Sequence, residues 1–134
     1  MVETEIQKIT SLYGQRGKIF HAGIDLRTWN IKFWKPLRIL FPEPCEVLRT
    51  WVDDWGGGIA LKPLNNTQFD ELKFIHVEIS PALTVGDVFA KGTLIGYSML
   101  SKLNKSHHLH FEVWVDKKTV NPILYIEAAG YKYE

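Results

Sequence analysis

The chain has a single cysteine among its 134 residues, Cys45, so no internal disulfide can brace it and no redox compartment is indicated. It has no excess of either charge. Sixteen basic residues against fifteen acidic ones leave +1, which removes the electrostatic case for a nucleic-acid partner. It has no apolar run long enough to span a membrane. Its opening residues, Met1-Val-Glu-Thr-Glu-Ile-Gln-Lys8, are interrupted by charge throughout and contain no apolar stretch of the signal-peptide kind. The expectation is a chain made without a Sec-type export signal, or a domain excised from a longer exported protein. No solenoid-length repeat, low-complexity tract or linker is visible. With 46% hydrophobic and 23% charged residues, the chain is expected to form one domain, 1–134, with a core of roughly 17–126.

Turn residues are plentiful after the first twenty positions. Pro36, Pro42, Pro44, Gly56-Gly57-Gly58, Pro63, Asn65-Asn66, Gly86, Gly92 and Gly96 divide the chain into short pieces. Between them lie β-branched and aromatic runs: Cys45–Val52, Gly58–Lys62, Lys73–Ile79, Thr93–Gly96 and His110–Val115. Such spacing predicts an all-β fold, a mainly antiparallel sandwich or barrel of short strands. One or two short helices are expected at the termini. Val2–Leu12 has apolar residues at Ile6, Ile9 and Leu12, and Pro122–Ala129 begins with a proline suited to a first helical position. Asp53-Asp54 ahead of Trp55-Gly56 reads as a turn.

What is present in quantity is histidine, arranged in short clusters. His21-Ala-Gly-Ile-Asp25 and His108-Leu-His110 together offer a His, Asp, His ligand set for zinc. Three protein ligands leave one tetrahedral position open to water, the pattern of a hydrolytic rather than a structural site. One zinc per chain is expected, held by His21, Asp25 and His110. Gly23 is read as permitting a tight path from loop into strand.

The stretch His108–Val115 is the clearest strand. Alternation puts His108, His110, Glu112 and Trp114 on one face and Leu109, Phe111, Val113 and Val115 on the other, which is apolar and should face the core. The two histidines are then ~7 Å apart at the backbone, close enough for one to bind metal while the other reaches water or substrate. His108 is expected to accept a proton, since imidazole titrates near working pH. His76 lies in Lys73–Ile79, where alternation groups it with Phe74 and Glu78. It is expected to orient water or to donate to a tetrahedral intermediate. His107 is excluded because it should face away from His108. Glu78 and Glu112 are expected to be solvated, Cys45 to be a small buried hydrophobe, and Trp29, Phe33 and Trp34 to be packing residues.

The combination His-x-Gly-x-Asp, a lone strand histidine, and His-x-His followed by Phe-Glu-Val resembles the lysostaphin-type (LytM-like) zinc metalloendopeptidases, which cut peptide bonds in bacterial peptidoglycan. The resemblance runs from about Gly17 to Ile126. Gly57-Gly58-Ile-Ala-Leu61 is similar to the family's glycine-led strand. Val85-Gly86-Asp87-Val88 through Lys91-Gly92-Thr-Leu-Ile-Gly96 is similar to its turn-and-strand unit. His108–Val113 resembles its signature strand and Asn121-Pro122 its exit. The resemblance implies zinc on His21, Asp25 and His110, and catalytic histidines at His76 and His108. It also implies a peptidoglycan peptide as substrate, cut by attack of zinc-bound water without a covalent intermediate. Activity should then fall below pH ~6, where histidine ligands protonate. Two stretches depart from the family: Tyr97–His107, in place of a Gly/Ser/Thr-rich segment, and the aromatic Arg27–Lys35.

Action at the bacterial cell wall by a monomer is expected, with a phage lysin, a virion module and an excised domain as the possible settings. Two alternatives stand beside the enzyme. One is a non-catalytic member of the fold serving as a wall-binding or regulatory module. The other is a hybrid-sandwich carrier domain, which the Val85–Gly96 pattern also resembles but which the Asp25 ligand and His-x-His pair disfavour.

Overall fold

The β-branched and aromatic runs form strands almost throughout. In the computed structural model, which describes Met1–Glu134, strand accounts for about 49% of residues and helix for 4%, the all-β architecture expected. The main sheet has eight strands, every neighbouring pair antiparallel. In spatial order they run Val88–Phe89, Cys45–Asp53, Gly56–Pro63, Glu71–Ile75, Leu109–Val115, Ile24–Leu26 and Ile9–Ser11, with Lys118–Val120 paired on Leu109–Val115. A second sheet joins Val77–Ile79, Leu94–Ser98 and Ile39–Leu40.

The core lies between these sheets. From the main sheet it takes Ile24, Leu26, Val47, Ile59, Leu61, Leu72, Phe74, Leu109, Phe111 and Val113, and from the smaller sheet Ile39, Val77 and Ile95. The rings of Phe74 and Phe111, cross-strand partners, meet at 5.1 Å. Tyr125 and Ile126 join from the one short helix, Ile123–Ala128, which follows Pro122. The apolar face of Leu109–Val115 is thus buried as its alternation required, and the face bearing His110, Glu112 and Trp114 is turned outward. Cys45 is fully buried, and burial, followed by nearby Glu43, pushes its thiol up to about 12.

Two expectations are corrected. Val2–Leu12 is not a helix. Ile6–Gln7 pairs with Lys132–Tyr133, and Ile9–Ser11 pairs with the strand Ile24–Leu26. The side chain of Gln7, buried, exchanges hydrogen bonds with the N–H (3.0 Å) and C=O (2.8 Å) of Val2, so it takes a carbonyl that a helix starting there would have used itself. A weak apolar period over so few residues does not nucleate a helix against this pairing. Lys73–Ile79 is not one strand either. It breaks at His76, whose φ of 71° lies in the left-handed region. Before the break the chain belongs to the main sheet, and after it to the smaller one. Phe74 therefore faces the core while His76 does not, so the alternation that grouped them fails at that residue. Gly57 makes room for the crossing: a Cβ there would collide with the carbonyl oxygen of Val77.

Candidate metal centre

A row of directly paired residues crosses the outward face of the main sheet: Trp51, Gly58, Ile75, His110, Asp25 and Ser11. Cross-strand partners share a face, so the row is continuous. Gly58 has no side chain, and the Trp51 ring occupies the space its Cβ would need. A cleft of about 450 Å³ lies over Trp51, Ile75, His110 and Asp25, and is walled by His21, His76 and His108. Beyond Asp25 and His108, which line both, a hollow of about 380 Å³ continues it.

His110 and Asp25 meet because they are register partners, with His110 Nδ1 3.0 Å from Asp25 Oδ1. His21 arrives from a hairpin of Gly14–Arg16 and Ile19–His21. Its Nε2 lies 3.2 Å from His110 Nδ1 and 3.4 Å from Asp25 Oδ1. Gly23 is what allows this approach. A Cβ at that position would collide with the Phe111 carbonyl oxygen and come within 3.0 Å of His110 Nε2. The spacing His-x-Gly-x-Asp is therefore a requirement for close packing of the His21–Asp25 segment on the strand that carries His110.

Zinc bound at ~2.0–2.1 Å in tetrahedral geometry sets its ligand atoms ~3.3–3.4 Å apart. The three separations here, 3.0, 3.2 and 3.4 Å, fit that ion within a few tenths of an ångström, and His21, Asp25 and His110 are a group that could hold a metal. Both imidazoles are also backed from behind. His110 Nε2 donates to Glu112 Oε2 at 2.8 Å, and Glu112 Oε1 accepts from Trp114 Nε1 at 2.9 Å. His21 Nδ1 lies 2.9 Å from the Leu12 carbonyl oxygen and 2.6 Å from an Arg16 guanidinium nitrogen, contacts that hold the ring with Nε2 turned toward Asp25 and His110. Arg16 donates to the same carbonyl at 3.1 Å and to Ser11 Oγ. Glu112 is accordingly not the solvated carboxylate expected. It orients His110, whereas Glu78 is exposed as expected.

His76 and His108 stand on the opposite side of the cleft, their rings edge-on at 4.9 Å. Each has its tautomer set by a backbone carbonyl. His76 Nδ1 donates to Trp55 O at 2.6 Å, and His108 Nδ1 to Ser106 O at 3.1 Å. Nε2 is then an acceptor on both rings, that of His108 lying 3.8 Å from Asp25 Oδ1. Electrostatics divides the five titratable groups His76, His108, His110, Asp25 and Glu112. Burial lowers the pKa of His76 and His108, and the neighbouring imidazoles lower it further, so both are neutral at pH 7. For His110 burial acts the same way, but hydrogen bonds to Asp25 and Glu112 outweigh it and raise the imidazole to about 9. Burial would raise Asp25 and Glu112, but the imidazole hydrogen bonds hold both below the ordinary carboxylate range.

The remaining sequence candidates fall as follows. His107 is outside the histidine cluster. Its Nδ1 lies 3.0 Å from Ser98 Oγ and its ring packs on Trp29 at 5.2 Å. Phe33 and Trp34 are not packing residues of the core: they are 65% and 74% exposed on the hairpin Trp29–Asn30 and Lys35–Pro36. Sequence reasoning missed Trp51 and Ile75 as cleft floor. The Gly57-Gly58 pair was the available signal, since a glycine facing a tryptophan across a strand pair marks a ring lying over the sheet.

No family model and no curated protein matches the sequence. Solved structures do. The chain is similar to the catalytic domain of the antimicrobial peptidase lysostaphin from Staphylococcus simulans, with a TM-score of 0.68 and 18% identity over 90% of this chain and 92% of that one. Against a longer lysostaphin chain the TM-score is 0.73 at 20% identity, covering 95% of this chain and 52% of that one, so this chain spans about half of it. It is similar to the catalytic domain of a variant of the prophage-encoded M23 protein EnpA from Enterococcus faecalis (TM-score 0.67, 22% identity, 89% and 91% covered). It is also similar to a zinc-containing peptidase from Vibrio cholerae (TM-score 0.67, 18% identity, 90% and 37% covered). The fold is the lysostaphin-type, LytM-like fold of M23 peptidase domains. No helix is long and apolar enough to cross a membrane.

Proposed function

We propose that the chain is a zinc-dependent endopeptidase that hydrolyses peptide bonds in the cross-links or stem peptides of bacterial peptidoglycan. One observation carries the reading. Three ligand atoms 3.0–3.4 Å apart lie in a cleft that also presents two neutral imidazoles with free Nε2 acceptors. The fold neighbours named as peptidases, one of them zinc-containing, support it.

His21, Asp25 and His110 hold the ion, with Glu112 and the Leu12 carbonyl fixing the two rings. When bound, zinc supplies a Lewis acid for the scissile carbonyl and lowers the pKa of water. His108, nearer Asp25 Oδ1 than a water diameter beyond hydrogen-bond reach, accepts the proton of the attacking water at Nε2 and returns it to the leaving amine. His76, with Nδ1 committed to Trp55, is an acceptor at Nε2 that orients that water. The Trp51 ring and Ile75 give the peptide an apolar floor beside the ligands.

The test combines metal analysis with digestion. Purified protein should contain one zinc per chain and release new amino termini from purified peptidoglycan, identified by mass spectrometry. A strong chelator should abolish this and added zinc restore it. His108→Ala should keep the zinc while lowering turnover about 10²–10⁴-fold. Cleavage indifferent to chelation, or protein that takes up no zinc, overturns the reading.

A further inference from the structure

The hollow beyond Asp25 and His108 has no part in the steps above. Arg27 stands in it, two residues past Asp25 and so on the same face of the chain. Its backbone is pinned, the N–H donating to the Lys8 carbonyl at 2.9 Å. Of the four arginines, Arg16, Arg38 and Arg49 each bind a neighbour: Arg16 the Leu12 carbonyl, Arg38 Glu3, and Arg49 Glu71. Arg27, an exposed residue, alone has neither a hydrogen-bonded nor an ion-paired side chain, and besides a neighbouring hollow at Thr4 and Lys8 it lines this one. The sole carboxylate there is Asp25, committed to the metal centre. The hydroxyl of Ser106 lines it too, while that of Thr10 donates to the Asp25 carbonyl at 3.4 Å.

The hollow is also preformed. Trp29 stacks on His107 at 5.2 Å with 38° between ring planes. His107 Nδ1 is bonded to Ser98 Oγ, which accepts from Thr28 Oγ1 at 2.8 Å, and Ser98 and Thr28 are both buried. One wall is thereby tied to the smaller sheet and does not need to be ordered by a ligand.

We propose that Arg27 is a specificity-determining residue. It binds a carboxylate of the peptide substrate, so the cleft selects an anionic stem peptide over a neutral bridge such as polyglycine. This rests on the peptidase reading of the same cleft. A planar guanidinium grips a carboxylate in a two-point fork, which a glycine bridge cannot supply. Arg27 starts ~7 Å from Asp25, and an extended peptide advances ~3.3–3.4 Å per residue, so the recognised carboxylate belongs two or three residues from the cleaved bond.

The experiment uses a D-alanyl-cross-linked stem-peptide dimer with free carboxylates and the same dimer with each carboxylate converted to carboxamide. Wild-type kcat/KM should favour the carboxylate form roughly tenfold or more, as for a charge-assisted hydrogen bond. The preference should shrink to near one in Arg27→Gln, persist in part in Arg27→Lys, and persist fully in Lys32→Gln, an exposed cation outside the hollow. Equal cleavage of both dimers by wild type, or a preference that survives Arg27→Gln, overturns the proposal. Calorimetric binding of both dimers to the metal-free chain runs alongside. If neither dimer is cleaved but a polyglycine bridge is, the peptidase reading stands and the proposal for Arg27 is overturned. If none of the three is cleaved, the peptidase reading fails and the binding ratio decides the role of Arg27: a preference lost in Arg27→Gln supports it, and equal or absent binding refutes it.

Discussion

Replacing Glu112 by glutamine tests the electrostatics of the metal centre with almost no change of shape. Glu112 accepts from His110 and from Trp114, at 2.8 and 2.9 Å. Glutamine keeps one acceptor, so one of these bonds is lost and the negative charge disappears. Removing such an orienting carboxylate typically weakens metal binding 10–100-fold, or about 1.4–2.7 kcal/mol. A second effect runs the other way. In the metal-free chain His110 is protonated up to about pH 9, and that proton must leave before Nδ1 can bind an ion. Without Glu112 the imidazolium loses one of its two carboxylate partners, and its pKa should fall by about one unit. Zinc then competes with a weaker base, which offsets up to roughly tenfold of the loss when the pH is well below 9. The expected result is an E112Q-to-wild-type Kd ratio of about 10–100 near pH 9 that narrows toward pH 7. Competition with a chelating dye across that range measures it, and an NMR titration of the metal-free His110 ring measures the shift directly. A ratio that is flat with pH, or within twofold of one throughout, would refute this account of Glu112.

Other consequences are simpler to read. Gly23→Ala should force apart the His21–Asp25 segment and the Phe111 carbonyl, costing roughly 1–3 kcal/mol of stability by overpacking and weakening zinc uptake more than a surface Gly→Ala does, as urea titration and metal analysis would show. Glu43, only 4% exposed, accepts from Tyr125, Asn66 and the Asn65 N–H. Burial would raise its pKa, but these bonds hold it below the usual value, so its stabilisation is present above pH ~4.5 and is lost as pH falls through the lower folded value. Glu43→Gln should therefore cost roughly 2 kcal/mol at pH 7, with the gap to wild type closing near pH 3 in denaturant titrations. Phe74→Ala, deleting a fully buried ring, should cost about 3–5 kcal/mol, measured the same way, and leave His21, Asp25 and His110 in place.

The metal-binding candidates were legible because strand alternation is a robust signal where one face is wholly apolar. Leu109, Phe111 and Val113 could only face inward, which put His108 and His110 outward together. The same rule failed at His76, because a single left-handed residue is invisible to a period-two pattern and reverses the face of everything after it. Val2–Leu12 failed for a different reason. Ile6 and Ile9 satisfy a helical spacing and two separate strand pairings equally well, and partners as far away as Lys132 settled the matter. The role of Glu112 was hidden because its own strand says only that it faces outward; that His110 would need a carboxylate behind it follows from where Asp25 lies in three dimensions. Arg27 was similarly unreadable as a cleft residue, since its place depends on which strands end up adjacent, and Trp51 had only the glycine pair opposite it as a signal.

Asp25 and His110 are separated by 85 positions yet sit opposite each other on adjoining strands. A slip of one position in that pairing would send one of them to the wrong surface. The ion's seat is thus a gauge of correct threading: a misaligned chain could still be rich in strand, but it would hold no ion. Uptake of metal should accordingly come last in folding, and a failure to load should flag misregistered chains that spectroscopic measures of sheet content would pass.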